Sequence, residues 1–212
     1  GIIVDSGKFD WAKDPKRQPN LNVPDPSYHG MVWTEFAKAV GPIAYIVRAR
    51  FVGLRDLGPA LSPTNAFQII QGLETVTLRM EKHCSNAAKV AEYLTSHEKV
   101  SKVIYAGLDE GEAGVRASKY LKGGHGALCG FELKGGKPSG EKFINNLNMF
   151  YHVANIGDAR SLAIHPATTT HSQLSDEDME SAGVNPSYVR LSIGIEHIDD
   201  IIEDLKNALN AA

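Results

Sequence analysis

Apolar residues recur every three or four positions along a stretch that begins just after Ser62-Pro63. Serine is a favoured N-cap, and proline fits the first position of a helix. The apolar positions of this stretch are Phe67, Ile70, Leu73, Val76, Met80, Cys84, Ala87, Val90 and Leu94. The spacing predicts a helix of about thirty residues, about 45 Å long, with a kink near Gly72. We expect so long a helix to connect two domains.

The chain before this helix is less regular. Residues 1–7 begin with an apolar run that reads as a strand, and a chain that starts inside a strand indicates a fragment or a cleaved piece. Residues 8–30 are rich in proline and charge and predict an irregular surface segment. Residues 31–58 show helical spacing, interrupted near Gly41-Pro42.

Beyond the long helix, apolar and polar residues alternate over short runs, which is typical of half-buried strands. The predicted strands are residues 100–105, 127–133, 150–154, 161–164 and 188–195. The predicted helices are residues 139–147, a short one capped by Ser175, and a closing one over residues 198–209. This order fits a compact α/β domain with helices on one face of a sheet.

Composition narrows the function classes. The chain has 212 residues, 42% of them hydrophobic and 22% charged, with a net charge of −3, which is typical of a globular protein. A net charge this small predicts neither a surface that binds nucleic acid nor one that binds a membrane. No apolar run approaches the length needed to span a bilayer. The two cysteines, Cys84 and Cys129, read as buried thiols and fit a reducing compartment, so we expect a cytoplasmic protein.

The strand at 188–195 carries the most suggestive side chain. Val189, Leu191 and Ile193 share one face of it, and Arg190 lies on the other beside small residues. A guanidinium held on a rigid strand can bind a carboxylate through two parallel hydrogen bonds. From spacing alone, an arginine on a solvated face or in a structural ion pair is the simpler interpretation.

Other candidates carry weaker signals. Asn155 stands where a predicted strand ends, so its amide could donate to a ligand carboxylate or only shape a turn. His165 and His171 lack the neighbouring ligands of a metal site, and we expect no metal. The glycine-rich residues 123–126 and 135–137 miss the phosphate-loop patterns and read as surface turns.

Taken in chain order, these stretches resemble one family. Residues 3–11, Ile-Val-Asp-Ser-Gly-Lys-Phe-Asp-Trp, are similar to the segment that follows the cofactor lysine in O-acetylhomoserine sulfhydrylases. The resemblance continues at residues 28–30, 48–50, 54–56, 62–67, 72–75, 155–158, 165–167, 170–171 and 190–196. It therefore covers essentially the whole chain. The Asn-Ile-Gly-Asp at 155–158 favours sulfhydrylases over cystathionine γ-synthases, which carry Ser-Leu-Gly there.

The resemblance implies an α/β enzyme of the Cys/Met-metabolism group with the pyridoxal-phosphate fold-type I, which is aspartate-aminotransferase-like. Residues 1–60 would end the large cofactor domain, 61–97 would form the connecting helix, and 98–212 would form the small C-terminal domain. It also implies that Arg190 holds the substrate α-carboxylate, assisted by Asn155. The family lysine lies in a Ser-x-Thr-Lys context that this sequence lacks, so we expect the Schiff-base lysine upstream of Gly1.

The cofactor implied is pyridoxal 5′-phosphate, bound mainly by residues missing from this chain, which we therefore expect to be inactive alone. The implied γ-replacement converts O-acetyl-L-homoserine and sulfide to L-homocysteine and acetate, in methionine and cysteine biosynthesis. The implied partners are the missing N-terminal half and further copies in a homotetramer. The alternatives are a cystathionine γ-synthase or methionine γ-lyase relative, or a non-catalytic α/β binding module.

Overall fold

The computed structural model describes residues 2–212, which form two compact units. The first ends at Ile69, and the second comprises Ile70–Ala212. The division falls within helix α4, Pro63–Glu74. Among residues 2–212, no helix is both long and apolar enough to cross a membrane.

The first unit consists of short helices around an aromatic cluster. These are α1 (Pro19–Asn22), a 3-10 turn (Pro26–Tyr28), α2 (Trp33–Ala37), α3 (Ala44–Arg48) and the π-helix Ala49–Asp56 that continues α3. Trp33 is completely buried between the rings of Tyr28 and Phe51. The predicted interruption near Gly41-Pro42 is confirmed, since α2 ends and α3 begins on either side of it. Gly41, between the two helices, adopts a positive φ of 107° that favours glycine.

The strand predicted over residues 1–7 is wrong for the part that the structure describes. Residues 2–7 form no strand, and Ile2 and Val4 are 88% and 85% exposed. Gly1 lies outside the described residues. A strand needs the hydrogen bonds of a neighbouring strand, and no described segment pairs with residues 2–7. Residues 8–30 also differ from the prediction, because they contain α1 and the 3-10 turn.

The predicted long helix occurs as two helices, α4 and α5 (Val76–Ser96). They are separated at Thr75, three residues beyond the predicted kink at Gly72. The Arg79 side chain donates to the carbonyl oxygen of Gly72 and, over 3.3 Å, to the hydroxyl of Thr75. These hydrogen bonds satisfy polar groups that the break takes out of the helical ladder.

The described part of the second unit contains a five-stranded sheet. Its strands are β1 (Val100–Ile104), β2 (Leu128–Leu133), β3 (Tyr151–His152), β4 (Leu162–Ile164) and β5 (Tyr188–Ser192). The order is β1-β2-β5-β4-β3, and every neighbouring pair is antiparallel except β3 with β4. All five predicted strands are therefore present, with shorter ends, and β5 lies at the centre.

One face of the sheet is covered by helices, as predicted. The covering helices are α5, α7 (Gly136–Asn145) and α9 (Ile198–Ala211). Val189, Leu191 and Ile193 are completely buried in the resulting core, which confirms the face assigned to them. The short helix α8 (Asp176–Ser181) begins at Ser175, whose hydroxyl accepts from the Asp178 backbone. Helix α6 (Glu112–Tyr120) was not predicted.

Candidate functional site

Arg190 lies on β5, on the face of the sheet opposite the core. Its Nη2 donates to the carbonyl oxygen of Ala154 over 2.7 Å and, at 3.4 Å, reaches that of Asn155. Within residues 2–212, no carboxylate forms a salt bridge with Arg190, and no further hydrogen bond of its guanidinium is recorded. The structural ion pair considered from the sequence is therefore absent from the described chain. Most of the donor fork remains available for a ligand.

Arg190 is flanked by a residue of each neighbouring strand. Gly130 of β2 and Ile164 of β4 lie opposite Arg190 in the sheet register. The ring of Tyr188 occupies the space that a side chain at position 130 would need, so a larger residue there would displace that ring. Burial raises the pKa of Tyr188, and the positive charge of Arg190 partly opposes that shift. The phenol next to the guanidinium is therefore neutral at physiological pH.

Asn155 belongs to the loop between β3 and β4, residues 153–161. The Gly157 amide of this loop donates to the Ser192 hydroxyl over 3.1 Å, and the Ile195 amide donates to the carbonyl of Ala159 over 2.9 Å. The loop is thus fastened to the carboxyl end of β5, close to Arg190. The Asn155 side chain is exposed and has no recorded hydrogen bond within residues 2–212. Its amide is free to donate to a ligand.

His165 is a structural histidine. It is completely buried, and its two ring nitrogens contact the hydroxyl of Thr168 and the carbonyl of Pro186, each at 2.9 Å. Burial lowers its pKa, which favours the neutral ring. His171 contacts the hydroxyl of Thr170. Over residues 2–212, no group of three or more His, Cys, Asp or Glu side chains could hold a metal ion.

The described residues offer a guanidinium without an acidic partner but no anchor for a cofactor. No lysine among them is buried. Lys99 is half-buried, and its ammonium donates to the carbonyls of Leu209, Asn210 and Ala212 at the end of α9. Pyridoxal phosphate requires a lysine beside a phosphate cradle. The residues present therefore do not fit that group by themselves, and its chemistry needs residues outside this chain.

Sequence reasoning missed the residues that support the carboxyl end of β5. On α5, His83 Nδ1 lies 2.6 Å from the carbonyl of Ile193, and the Asn86 amide donates to the carbonyls of Gly194 and Glu196. Glu196 in turn accepts from both the backbone and the hydroxyl of Ser161. One signal was present in the sequence: His83 and Asn86 are polar residues three positions apart on the face of α5 that otherwise carries core residues.

Comparisons with known proteins agree on one family. The family model described as "Cys/Met metabolism PLP-dependent enzyme" matches residues 1–210. The chain is 52% identical to the O-acetyl-L-homoserine sulfhydrylase of Leptospira meyeri, over 99% of this chain and 48% of that relative. It is 50% identical to the homocysteine synthase of Schizosaccharomyces pombe, over 100% of this chain and 49% of that relative.

A solved structure gives the same result. The crystal structure of a putative O-acetylhomoserine (thiol)-lyase from Campylobacter jejuni, which contains a pyridoxyl-lysine-phosphate residue, has a TM-score of 0.79 and 42% identity. The match covers 93% of this chain and 46% of that one. The chain therefore has the fold of these enzymes, and it spans about half the length of the relatives that it matches.

Proposed function

Because the chain belongs to the Cys/Met metabolism PLP-dependent enzyme family, we propose that it is part of a γ-replacement transferase. The intact enzyme would replace the acetoxy group of O-acetyl-L-homoserine with sulfide, giving L-homocysteine and acetate. The names of the matched relatives, O-acetyl-L-homoserine sulfhydrylase and homocysteine synthase, support this substrate and product. The observation that carries the proposal is Arg190, a strand arginine with no acidic partner among the described residues.

In this proposal, Arg190 binds the α-carboxylate of the amino-acid substrate. Its Nη2 is already oriented by the Ala154 carbonyl, so the remaining N–H groups can donate to both carboxylate oxygens. The amide of Asn155 adds a donor from the neighbouring loop. These contacts orient the substrate and transfer no proton, so their contribution is positioning.

Held in the intact enzyme, pyridoxal phosphate would supply an electron sink for the substrate α-carbon, and Arg190 and Asn155 would only orient that substrate. We place the lysine and most cofactor contacts in the part of the protein upstream of Gly1. Residues 1–60 would then form the C-terminal end of the large cofactor domain. Residues 61–97 would form the helix that connects the two domains, and residues 98–212 would form the small domain. The relatives' greater length supports this arrangement, since the chain matches 48% and 49% of the first two.

We also propose a cytoplasmic homotetramer. The family resemblance supports both parts of this proposal, and the exposed apolar side chains of α4 support an assembly that covers them. The exposed apolar residues of α4 are Phe67, Ile69, Ile70 and Leu73. The missing half of the protein and neighbouring copies would cover this surface.

The test is a substrate panel on the purified full-length protein. We expect homocysteine from O-acetylhomoserine and sulfide at the highest kcat/KM, and no turnover by residues 1–212 alone. Faster formation of cystathionine from cysteine would identify a cystathionine γ-synthase instead. Release of methanethiol from methionine as the fastest reaction would identify a methionine γ-lyase.

A further inference from the structure

We infer that Glu196 and Ser161 are a positioning pair that sets Arg190 for the substrate carboxylate, an inference that rests on the function proposed for Arg190. The Glu196 carboxylate accepts the Ser161 backbone N–H on Oε1 over 2.7 Å and the Ser161 hydroxyl on Oε2 over 2.9 Å. The same hydroxyl accepts the Gly194 N–H over 2.9 Å. One serine therefore joins a carboxylate to the backbone that follows β5.

The two segments joined by this pair touch backbone to backbone. A side chain at position 194 would come within 2.5 Å of both the Ala159 carbonyl oxygen and the Ser161 nitrogen, so only glycine permits the approach. The Ile195 N–H donates to the same Ala159 carbonyl. The end of the 153–161 loop is thus fixed against residues 194–196 by several short contacts.

Residues 194–196 are themselves held by α5. The amide of Asn86, a residue only 1% exposed, donates to the carbonyls of Gly194 and Glu196 over 3.0 and 2.9 Å. His83 contacts the carbonyl of Ile193. The Glu196 carboxylate therefore projects from a backbone fixed to a long helix. Ser161 is the point at which the loop is fastened to that support.

The 153–161 loop connects residues 194–196 to Arg190. It ends at Ser161, the Gly157 amide bonds the Ser192 hydroxyl, and the carbonyls of Ala154 and Asn155 lie against the guanidinium. If Ser161 is released, the position of the Ala154 carbonyl is set by fewer contacts. The guanidinium then has more than one orientation, and part of its binding energy is lost in ordering it.

The Glu196 carboxylate faces two donors of Ser161 at once and accepts one on each oxygen. A carboxylate accepts through both oxygens, whereas a glutamine amide has one acceptor and one donor group. Glu196→Gln therefore keeps the size of the side chain and removes one of the two hydrogen bonds. Ser161→Ala removes both hydroxyl contacts and leaves the Gly194 N–H without its partner.

The test uses the full-length enzyme with its cofactor. We expect Glu196→Gln and Ser161→Ala each to raise the KM for O-acetylhomoserine about five- to thirty-fold. We expect kcat to change less than about threefold and the KM for sulfide to stay constant, because the pair acts on the carboxylate site alone. The matched control is Ser187→Ala, a buried serine at the other end of β5 that bonds Asn185, and its KM should be unchanged.

A double-mutant cycle separates positioning from general support. In the Arg190→Ala background, Glu196→Gln should leave the KM unchanged within about twofold, because the pair acts through Arg190. An equal rise in KM with and without Arg190 would overturn the inference, as would a wild-type KM in both variants. If Arg190→Ala alone leaves the KM unchanged, the proposed function fails and the inference falls with it.

Discussion

Arg190 donates from Nη2 to the carbonyl oxygen of Ala154 over 2.7 Å, so a strand arginine is held by the backbone of a neighbouring loop. A carboxylate partner would neutralise the charge of Arg190, and none is present among residues 2–212. A neutral carbonyl orients the guanidinium and leaves its charge uncompensated. This arrangement suits an arginine whose partner arrives with a substrate.

Asp204 should be a major stabilising residue of the second unit. It is 6% exposed on α9, and its carboxylate accepts the backbone N–H groups of Asn148, Met149 and Phe150 over 2.9, 2.9 and 3.2 Å. We expect Asp204→Asn to lower the free energy of unfolding by about 1–3 kcal/mol, because both carboxylate oxygens accept backbone N–H groups and an amide has only one acceptor oxygen. Urea denaturation measures the change, and Glu203→Gln on the exposed side of α9 is the control. A loss no larger than that of the control would refute this role.

The Cys129 thiol should be unreactive in the folded protein. It is 1% exposed on β2, and burial raises its pKa to about 12. At pH 8 only about one thiol in ten thousand would be the reactive thiolate. In residues 1–212 carrying Cys84→Ala, where Cys129 is the one remaining thiol, a disulfide reagent should titrate none under native conditions and one after denaturation. Rapid labelling of Cys129 in the native protein would contradict its burial.

The second unit should be more soluble without the first unit. Residues 2–4 and the beginning of α4 expose large apolar side chains, among them Ile2, Val4 and Phe67 at 88%, 85% and 61%. We expect residues 70–212 to be more soluble than residues 1–212 and to unfold cooperatively, because their core is self-contained. Sedimentation and thermal unfolding of both chains test this. If the shorter chain precipitated while the longer chain was monomeric and unfolded in one two-state transition, the boundary between the units would lie elsewhere.

The sequence predicted the elements whose hydrophobic pattern is complete. On β5 the alternation is strict, so its core face and the opposite position of Arg190 were both predicted. Helix α6 was missed because it is short, buries only Gly114 and Ala117 and adds no large side chain to the core. Residues 2–7 were taken for a strand because an apolar run does not show whether a partner strand is present.

The site was only partly predictable for a similar reason. The roles of Arg190 and Asn155 came from the family resemblance. The hydrogen bonds between Ser161 and Glu196 join residues 35 positions apart, and those from Asn86 join residues about 110 apart. Such contacts depend on the packed fold and leave no periodic pattern in the sequence.

The most direct test of the account is the kcat/KM of the full-length Arg190→Ala enzyme for O-acetylhomoserine. We expect a loss of about 2–5 kcal/mol, or about 30- to 5,000-fold, because a charge-assisted two-point contact to the substrate disappears. Arg190→Lys should restore only part of it, since a point charge cannot form the paired hydrogen bonds. Cofactor content and thermal stability should match the wild type. A kcat/KM within about threefold of the wild type would show that Arg190 does not bind the carboxylate.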